Sequence, residues 1–295
     1  MSFAKLSTYA LAATFVVTST LVFAEEHEEL PPTELEEAEL FIELNDTDGD
    51  FGIHGFADGD EWKKLEIKSP TMRKLLKLDV KSTLKSQGLT ELFFESAEPC
   101  FIYDEEECDD PFDTDVFFDR FPEGLYEIKA KTLEGYKLEN EVYLSHVIPA
   151  APVATANGTS DPLGACTCDE EDLEEDEECP DLPTVSAPVT LSWAAVDQSH
   201  KAKWGSDDDT DNADGKIGLG ITGATEVRYY EVVVEIDETD FKATAIVPPT
   251  TDSWEVPEAF LDFGDEIKYE VLVRSNNGHG NPGNKSAMES CFEVE

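Results

Sequence analysis

Polar and apolar residues alternate at every second position in one short segment after another: Leu76, Leu78 and Val80; Tyr126, Ile128 and Ala130; Tyr269, Val271 and Val273. Only an extended strand turns that period to one face, so each segment reads as a strand with one side in a core and the other in water. In the first half, strands are expected at 40–44, 62–67, 75–80, 89–95, 125–132 and 137–144. Glu134 and Gly135 mark a hairpin turn between the last two. One stretch departs from the alternation. Within 112–121, Val116, Phe117 and Phe121 fall on one helical face, Asp113 stands where an N-cap belongs, and Pro122 follows the end. The fold class that follows is all-β: two tandem β-sandwiches, with a short helix in the first.

A chain of 295 residues with 40% hydrophobic positions suits two small cores plus linkers. Its 67 acidic against 21 basic side chains give a net charge of -46. Such a charge repels nucleic acid and anionic membrane surfaces, attracts cations, and keeps a protein soluble at high ionic strength. Lys5, the apolar run 6–23 and the small residues Val22 and Ala24 read as a signal peptide over 1–24. The mature protein is expected to be secreted or periplasmic, with no membrane insertion after cleavage. The first cysteine is Cys100, so no lipid anchor is expected. Residues 25–38 are Glu-rich with Pro31 and Pro32, an acidic disordered leader.

Six cysteines in an exported chain point to disulfides. Cys100 and Cys108 bracket a short acidic loop and pair easily; Cys179 is expected to pair with Cys166 or Cys168, leaving the other for Cys291. Zinc is the rival reading, but the spacing lacks paired C-x2-C elements.

In the second half the motifs become specific. Val189-Thr190-Leu191-Ser192-Trp193, Tyr229-Tyr230-Glu231-Val232-Val233-Val234, Thr251-Asp252-Ser253-Trp254-Glu255-Val256-Pro257 and Tyr269-Glu270-Val271-Leu272-Val273 stand in that order, and Phe263 precedes Tyr269 by six residues. Together they resemble successive strands of a fibronectin type III domain. The resemblance covers about 149–295, with a first strand near 151–155 and a last strand over 290–294. It implies a core filled by Trp193 and a tyrosine corner at Tyr269, whose hydroxyl bonds back to upstream backbone. The chain departs from the family by two acidic insertions, 158–183 and 198–225, both expected as surface loops. The family's Arg-Gly-Asp is absent from the 276–284 loop, so integrin-style adhesion does not carry over. The preceding domain, 39–148, has immunoglobulin-like size, and its Gly124-Leu125-Tyr126 resembles the closing strands of extracellular immunoglobulin-like modules.

Two carboxylate-rich segments are candidate calcium sites. Asp46, Asp48 and Asp50, followed by Asp58 and Asp60, lie two apart among glycines, and a hard cation removes the mutual repulsion of carboxylates that curl inward together. The spacing is not an EF-hand, since Phe51 falls where its glycine belongs and Ala57 where its bidentate Glu belongs. The bland reading is an acidic turn. Asp207, Asp209, Asp211 and Asp214 form a denser cluster in the second insertion, with a solvated acidic loop as its bland reading. The Glu-rich run 169–178 has no glycine turns and reads as solvated loop.

No nucleophile elbow, His-Glu-x-x-His helix or phosphate-cradling glycine loop is present, and the five histidines are scattered. His54, inside the first acidic segment, reads as a packing or charge-balancing residue ahead of a ligand. Trp204 either pins the second insertion to the sandwich or stacks on a sugar. The functional expectation is a non-catalytic exported binding or scaffolding module, calcium-stabilised at weak affinity, for surface attachment or cell adhesion, with an unidentified protein or glycan partner. The alternative is a carbohydrate-binding accessory module of a secreted hydrolase system.

Overall fold

Each alternating segment of the first half is a strand, and one strand is far longer than its alternation. In the computed structural model, which describes residues 31–47, 51–97, 114–160, 181–200, 223–236 and 239–295, the order is β1 (Glu37–Asn45), β2 (Phe51–Lys68), β3 (Lys74–Asp79), β4 (Leu89–Glu95), α1 (Thr114–Arg120), β5 (Gly124–Thr132) and β6 (Lys137–Leu144). The stretch through Gly52 and Gly55, expected as part of a turn, lies in the first half of β2. Its glycines serve strand packing: a Cβ on Gly55 would sit 2.3 Å from the Phe94 ring, so the glycine lets that ring lie against the backbone.

Strand β2 bends and serves two layers. Its N-terminal half pairs with β1 and β4, its C-terminal half with β5 and β3, and register shifts between Asp58 and Lys64 mark the crossing. Between the layers lies a core that includes Leu40, Ile42, Leu44, Phe51, Trp62 and Ile128. Helix α1 closes one side, with Phe117 and Phe118 at 4.7 and 6.1 Å from Phe51. Phe118, rather than the expected Val116, joins Phe117 and Phe121 against the core, and Val116 is exposed. The proposed cap, Asp113, lies outside the described residues.

The acidic leader does not stay clear of the core along its whole length. Thr33 bridges to Leu138 of β6, Leu35 is buried, and the Leu35 amide donates to Asn140 Oδ1 at 2.6 Å. Leu35 is the apolar side chain that repays ordering this otherwise charged segment.

The second half contains β7 (Ala154–Ala156), β8 (Thr184–Val185), β9 (Thr190–Trp193), β10 (Val227–Ile236), β11 (Lys242–Val247), β12 (Ser253–Glu255), α2 (Glu258–Leu261), β13 (Glu266–Asn276) and β14 (Pro282–Val294). One layer is β12-β9-β7, and the facing layer carries β11-β10-β13-β14. Three strands against four in this order is the arrangement of a fibronectin type III sandwich. Trp193, Tyr230, Val271 and Phe292 are buried in its core, as the period-two reading requires. A hydroxyl bonded back to upstream backbone, the device expected of Tyr269, is made in the first half by Tyr126, which donates to the Pro122 carbonyl at 3.1 Å.

Nothing in the sequence signals how the halves join. Strand β1 pairs in parallel with β14, Glu43 to Lys285 through Asn45 to Ala287, so one sheet runs β11-β10-β13-β14-β1-β2-β5-β6 through both sandwiches. Residues Pro32–Glu295 accordingly form one compact unit. Asn284 stitches the seam: it accepts from the Ile42 amide at 2.8 Å and donates to the Ser145 and Val147 carbonyls at 2.8 and 2.9 Å. Buried and fully used, this side chain is worth more than an exposed amide. Among the described residues, no helix is long and apolar enough to cross a membrane.

Candidate functional site at the seam

The first Asp-rich segment begins where β1 ends. Asn45 accepts from the Thr47 amide at 3.1 Å, an Asx turn that starts the reversal toward β2. Strand β14 holds this turn from the other side. The Asp46 amide donates to the Ala287 carbonyl at 2.9 Å, the Glu289 amide donates to Thr47 Oγ1 at 2.7 Å, and Asn45 Nδ2 donates to Glu289 Oε1 at 3.1 Å. The Asp46 carboxylate is thereby fixed at the boundary of the two sandwiches.

The second insertion starts at the same place. Its two ends pair: the Ser199 amide donates to Gly223 O and the Thr225 amide to Asp197 O, at 2.9 and 3.0 Å. The outgoing end also pairs with the segment joining the sandwiches, the His200 amide donating to Ile148 O at 2.9 Å. This three-segment stem aims the half-buried His200 ring at β1. Its Nε2 lies 2.8 Å from Asp46 Oδ1, and because a carboxylate only accepts, Nε2 carries the proton. In the sequence His200 is only one of five scattered histidines. The two partners are 154 residues apart, so no local signal could have joined them.

Asp58 and Asp60 do not lie in this turn. They sit on β2, where Asp58 pairs with Glu37 while Phe51 pairs with Leu44 beside the turn. At about 3.4 Å per residue, seven strand residues separate Asp58 from the turn by roughly 24 Å, beyond the span of one ion's ligands. Asp58 stands instead between Glu37 and Glu91 across three strands. Burial, then Glu39 and Asp58, push the Glu37 carboxyl above its ordinary value. Asp48, Asp50, Asp207, Asp209, Asp211, Asp214 and Trp204 lie outside the described residues. Among the described residues, no group of three His, Cys, Asp or Glu side chains is arranged to hold a metal ion. His54 is buried, stacked on Phe41 at 5.3 Å, with Nδ1 3.8 Å from Glu43.

Beside the turn, Glu43 of β1, Glu270 of β13 and Glu289 of β14 share the outer face of the continuous sheet, with Glu270 and Glu289 directly opposed. Burial first, then the charges of Glu289, Glu43 and Glu231, push the Glu270 carboxyl up to about 8. Lys268 pairs with Glu289 and Lys285 with Glu43, so the basic side chains here are taken by other carboxylates. A separate groove of about 510 Å³ over β5 and β6 is lined by Glu127, Lys129, Glu139 and Glu141 among others. Lys129 ties it together at 3.1 Å from Glu127 and 3.8 Å from Glu139, and the hydrogen bond to Glu127 holds its ammonium above the usual range. Cys291 stands on β14 opposite Lys268, and the other five cysteines lie outside the described residues.

No protein-family model matches the sequence. No curated protein matches it. Among solved structures, the chain is similar to a Ca2+-stabilised adhesin that helps an Antarctic bacterium reach out and bind ice, at 12% identity and a TM-score of 0.24, over 89% of this chain and 50% of that one. The chain thus spans half the length of that structure. It is also similar to a two-domain fibronectin type III segment of chicken tenascin, at 10% identity and a TM-score of 0.23, over 88% of this chain and 98% of that one. A third likeness is to the human OSCAR ligand-binding domain, at 11% identity and a TM-score of 0.24, over 86% and 97%. The fibronectin type III-like fold itself follows from the chain's own strand order.

Proposed function

We propose that the chain is a non-catalytic exported module for surface attachment or protein interaction, with its two sandwiches stiffened at their seam by calcium. The observation that supports this reading is the 2.8 Å contact of His200 with Asp46, which joins the stem of one Asp-rich segment to the other. In this reading Asp46, Asp48 and Asp50 and the insertion's Asp207, Asp209, Asp211 and Asp214 supply oxygen ligands to the same region. Asp58 and Asp60, a strand's length away, are not ligands of that ion. Asp46 offers the ion the oxygen that His200 leaves. The signal peptide and the disulfides among the six cysteines belong to the same proposal, since both suit an oxidising compartment.

Calcium titration of the chelator-stripped mature protein by calorimetry tests it. A dissociation constant of about 10⁻⁴ to 10⁻³ M is expected, the weak extracellular range. At ten times that concentration, linkage stabilises the fold by about 1.4 kcal/mol, read as a rise in Tm. No heat of binding and no rise in Tm at 10 mM calcium, a concentration of about ten dissociation constants at the weak limit, would sink the proposal.

A further inference from the structure

The end of the second sandwich opposite the 277–281 loop carries two phenyl rings in water. Phe241, in the turn between β10 and β11, and Phe263, in the turn after α2, stack at 4.8 Å with planes 21° apart. They are 52% and 57% exposed, among the most exposed large apolar side chains described. The turns that carry them are separately braced. The Ile236 amide donates to Phe241 O at 3.0 Å, and the Phe241 amide donates to Thr239 Oγ1 at 3.1 Å. On the other side, a Cβ on Gly264 would meet Ile236 Cγ2 at 2.4 Å, so only glycine lets the second turn close onto the first. The rings are therefore held in place before any partner arrives, which removes most of the ordering cost of a contact.

The rim of the pair is acidic. Asp240 precedes one ring, Asp262 and Asp265 flank the other, and all three are exposed. Among the described residues no lysine or arginine pairs with them: Lys242 is engaged by Glu235 and Lys268 by Glu289. At other points of the described surface carboxylates do carry basic partners, as Glu66 does with Lys68 and Lys74. An exposed aromatic pair whose neighbouring aspartates have no basic partner among the described residues suits a planar cation with apolar neighbours.

We infer that the Phe241–Phe263 pair, with Asp240, Asp262 and Asp265, is a docking surface for an arginine-bearing segment of a partner protein. The guanidinium lies on the exposed phenyl faces and donates to the aspartates, while apolar residues beside it cover the ring edges. The surface extends the protein-interaction reading above but uses no calcium, so either can fail alone.

The test is titration of the full mature chain, in chelator and at 0.3 M salt to suppress unspecific attraction, with a capped peptide alternating arginine and leucine. Wild-type protein is expected to bind at least tenfold more tightly than F241A/F263A, and F241Y/F263Y is expected to keep most of the affinity. A peptide with citrulline in place of arginine, equal in shape but uncharged, is expected not to bind. If F241A/F263A fails to fold by circular dichroism, the surface variant D240N/D262N/D265N decides, with a loss of at least fivefold expected. Equal affinity of wild type and these variants, or equal binding of the citrulline peptide, would overturn the proposal. So would a glycan array bound by wild type and not by F241A/F263A in the absence of any peptide binding, since the rings would then serve a sugar.

Discussion

The guanidinium of Arg274 lies 3.7 Å from the centroid of the Phe41 ring, a contact that reaches from β13 over β14 to β1. Arg274 is 1% exposed and donates to Glu39 Oε2 at 2.9 Å. It belongs to the fibronectin type III-like half, and Phe41 and Glu39 to the other, so one buried cation ties the two halves together. Burial pulls its pKa down, and Glu39 beside it opposes that pull.

Removing one member of this pair strands the other. Arg274→Ala is expected to destabilise the protein by about 2–4 kcal/mol, read from urea denaturation, because Glu39 is left largely buried without its cation. The double variant Arg274→Met with Glu39→Gln leaves no such charge and is expected to recover most of the loss. Calorimetry should show one unfolding transition for the native chain and two for Arg274→Ala. Equal losses in the single and double variants would contradict the assignment.

Glu270 makes stability fall as pH rises. Its folded pKa, about 8, stands above the ordinary 4.5, so the native state holds a proton that the unfolded chain releases. This contribution is fully present below pH 4.5 and is lost as pH rises through 8. Glu270→Gln is expected to flatten that part of the Tm-against-pH curve and to stabilise the protein above pH 8 by about 1–2 kcal/mol, allowing for partial solvent screening. A variant less stable than wild type at pH 9 would refute this.

His200→Ala should loosen the insertion stem while sparing the sheet. The lost bond is charge-assisted and half-buried, worth about 1–2 kcal/mol locally. Amide exchange at Ser199, His200 and Thr225 is expected to quicken about tenfold, with β13 amides unchanged. Unaltered exchange at those three amides would show that the stem holds without Asp46.

Gly55→Ala tests the packing of β2 on β4. A methyl group 2.3 Å from the Phe94 ring must displace it, at a cost of about 1–3 kcal/mol. Phe94→Leu in the same chain is expected to return part of that loss, measured by thermal unfolding.

Strand periodicity found most of the secondary structure because most strands turn one face to a core. Leu76 and Leu78, Tyr126 and Ile128, and Val271 and Val273 all fall on strands as read. The first half of β2 escaped because Gly52, Gly55 and Gly59 are ordinary turn residues in a one-dimensional reading, and only the Phe94 ring explains Gly55. Strand β11 escaped as well, since Lys242 through Val247 form an edge with little buried surface. The seam was invisible for another reason: Asn284, Arg274 and His200 are polar residues whose partners lie more than a hundred positions away. The carboxylate pattern drew attention to Asp46, yet spacing alone could not show that Asp58 stands at the far end of a strand.

The parallel pairing of β1 with β14 has a mechanical meaning. A pull applied ahead of β1 and behind β14 draws the two strands past each other along their length. The hydrogen bonds from Glu43 to Asn45, and the Asn284 stitch beside them, then carry the load together instead of opening one after another. A joint of this geometry resists stretching between the sandwiches while costing the chain only a few residues of pairing.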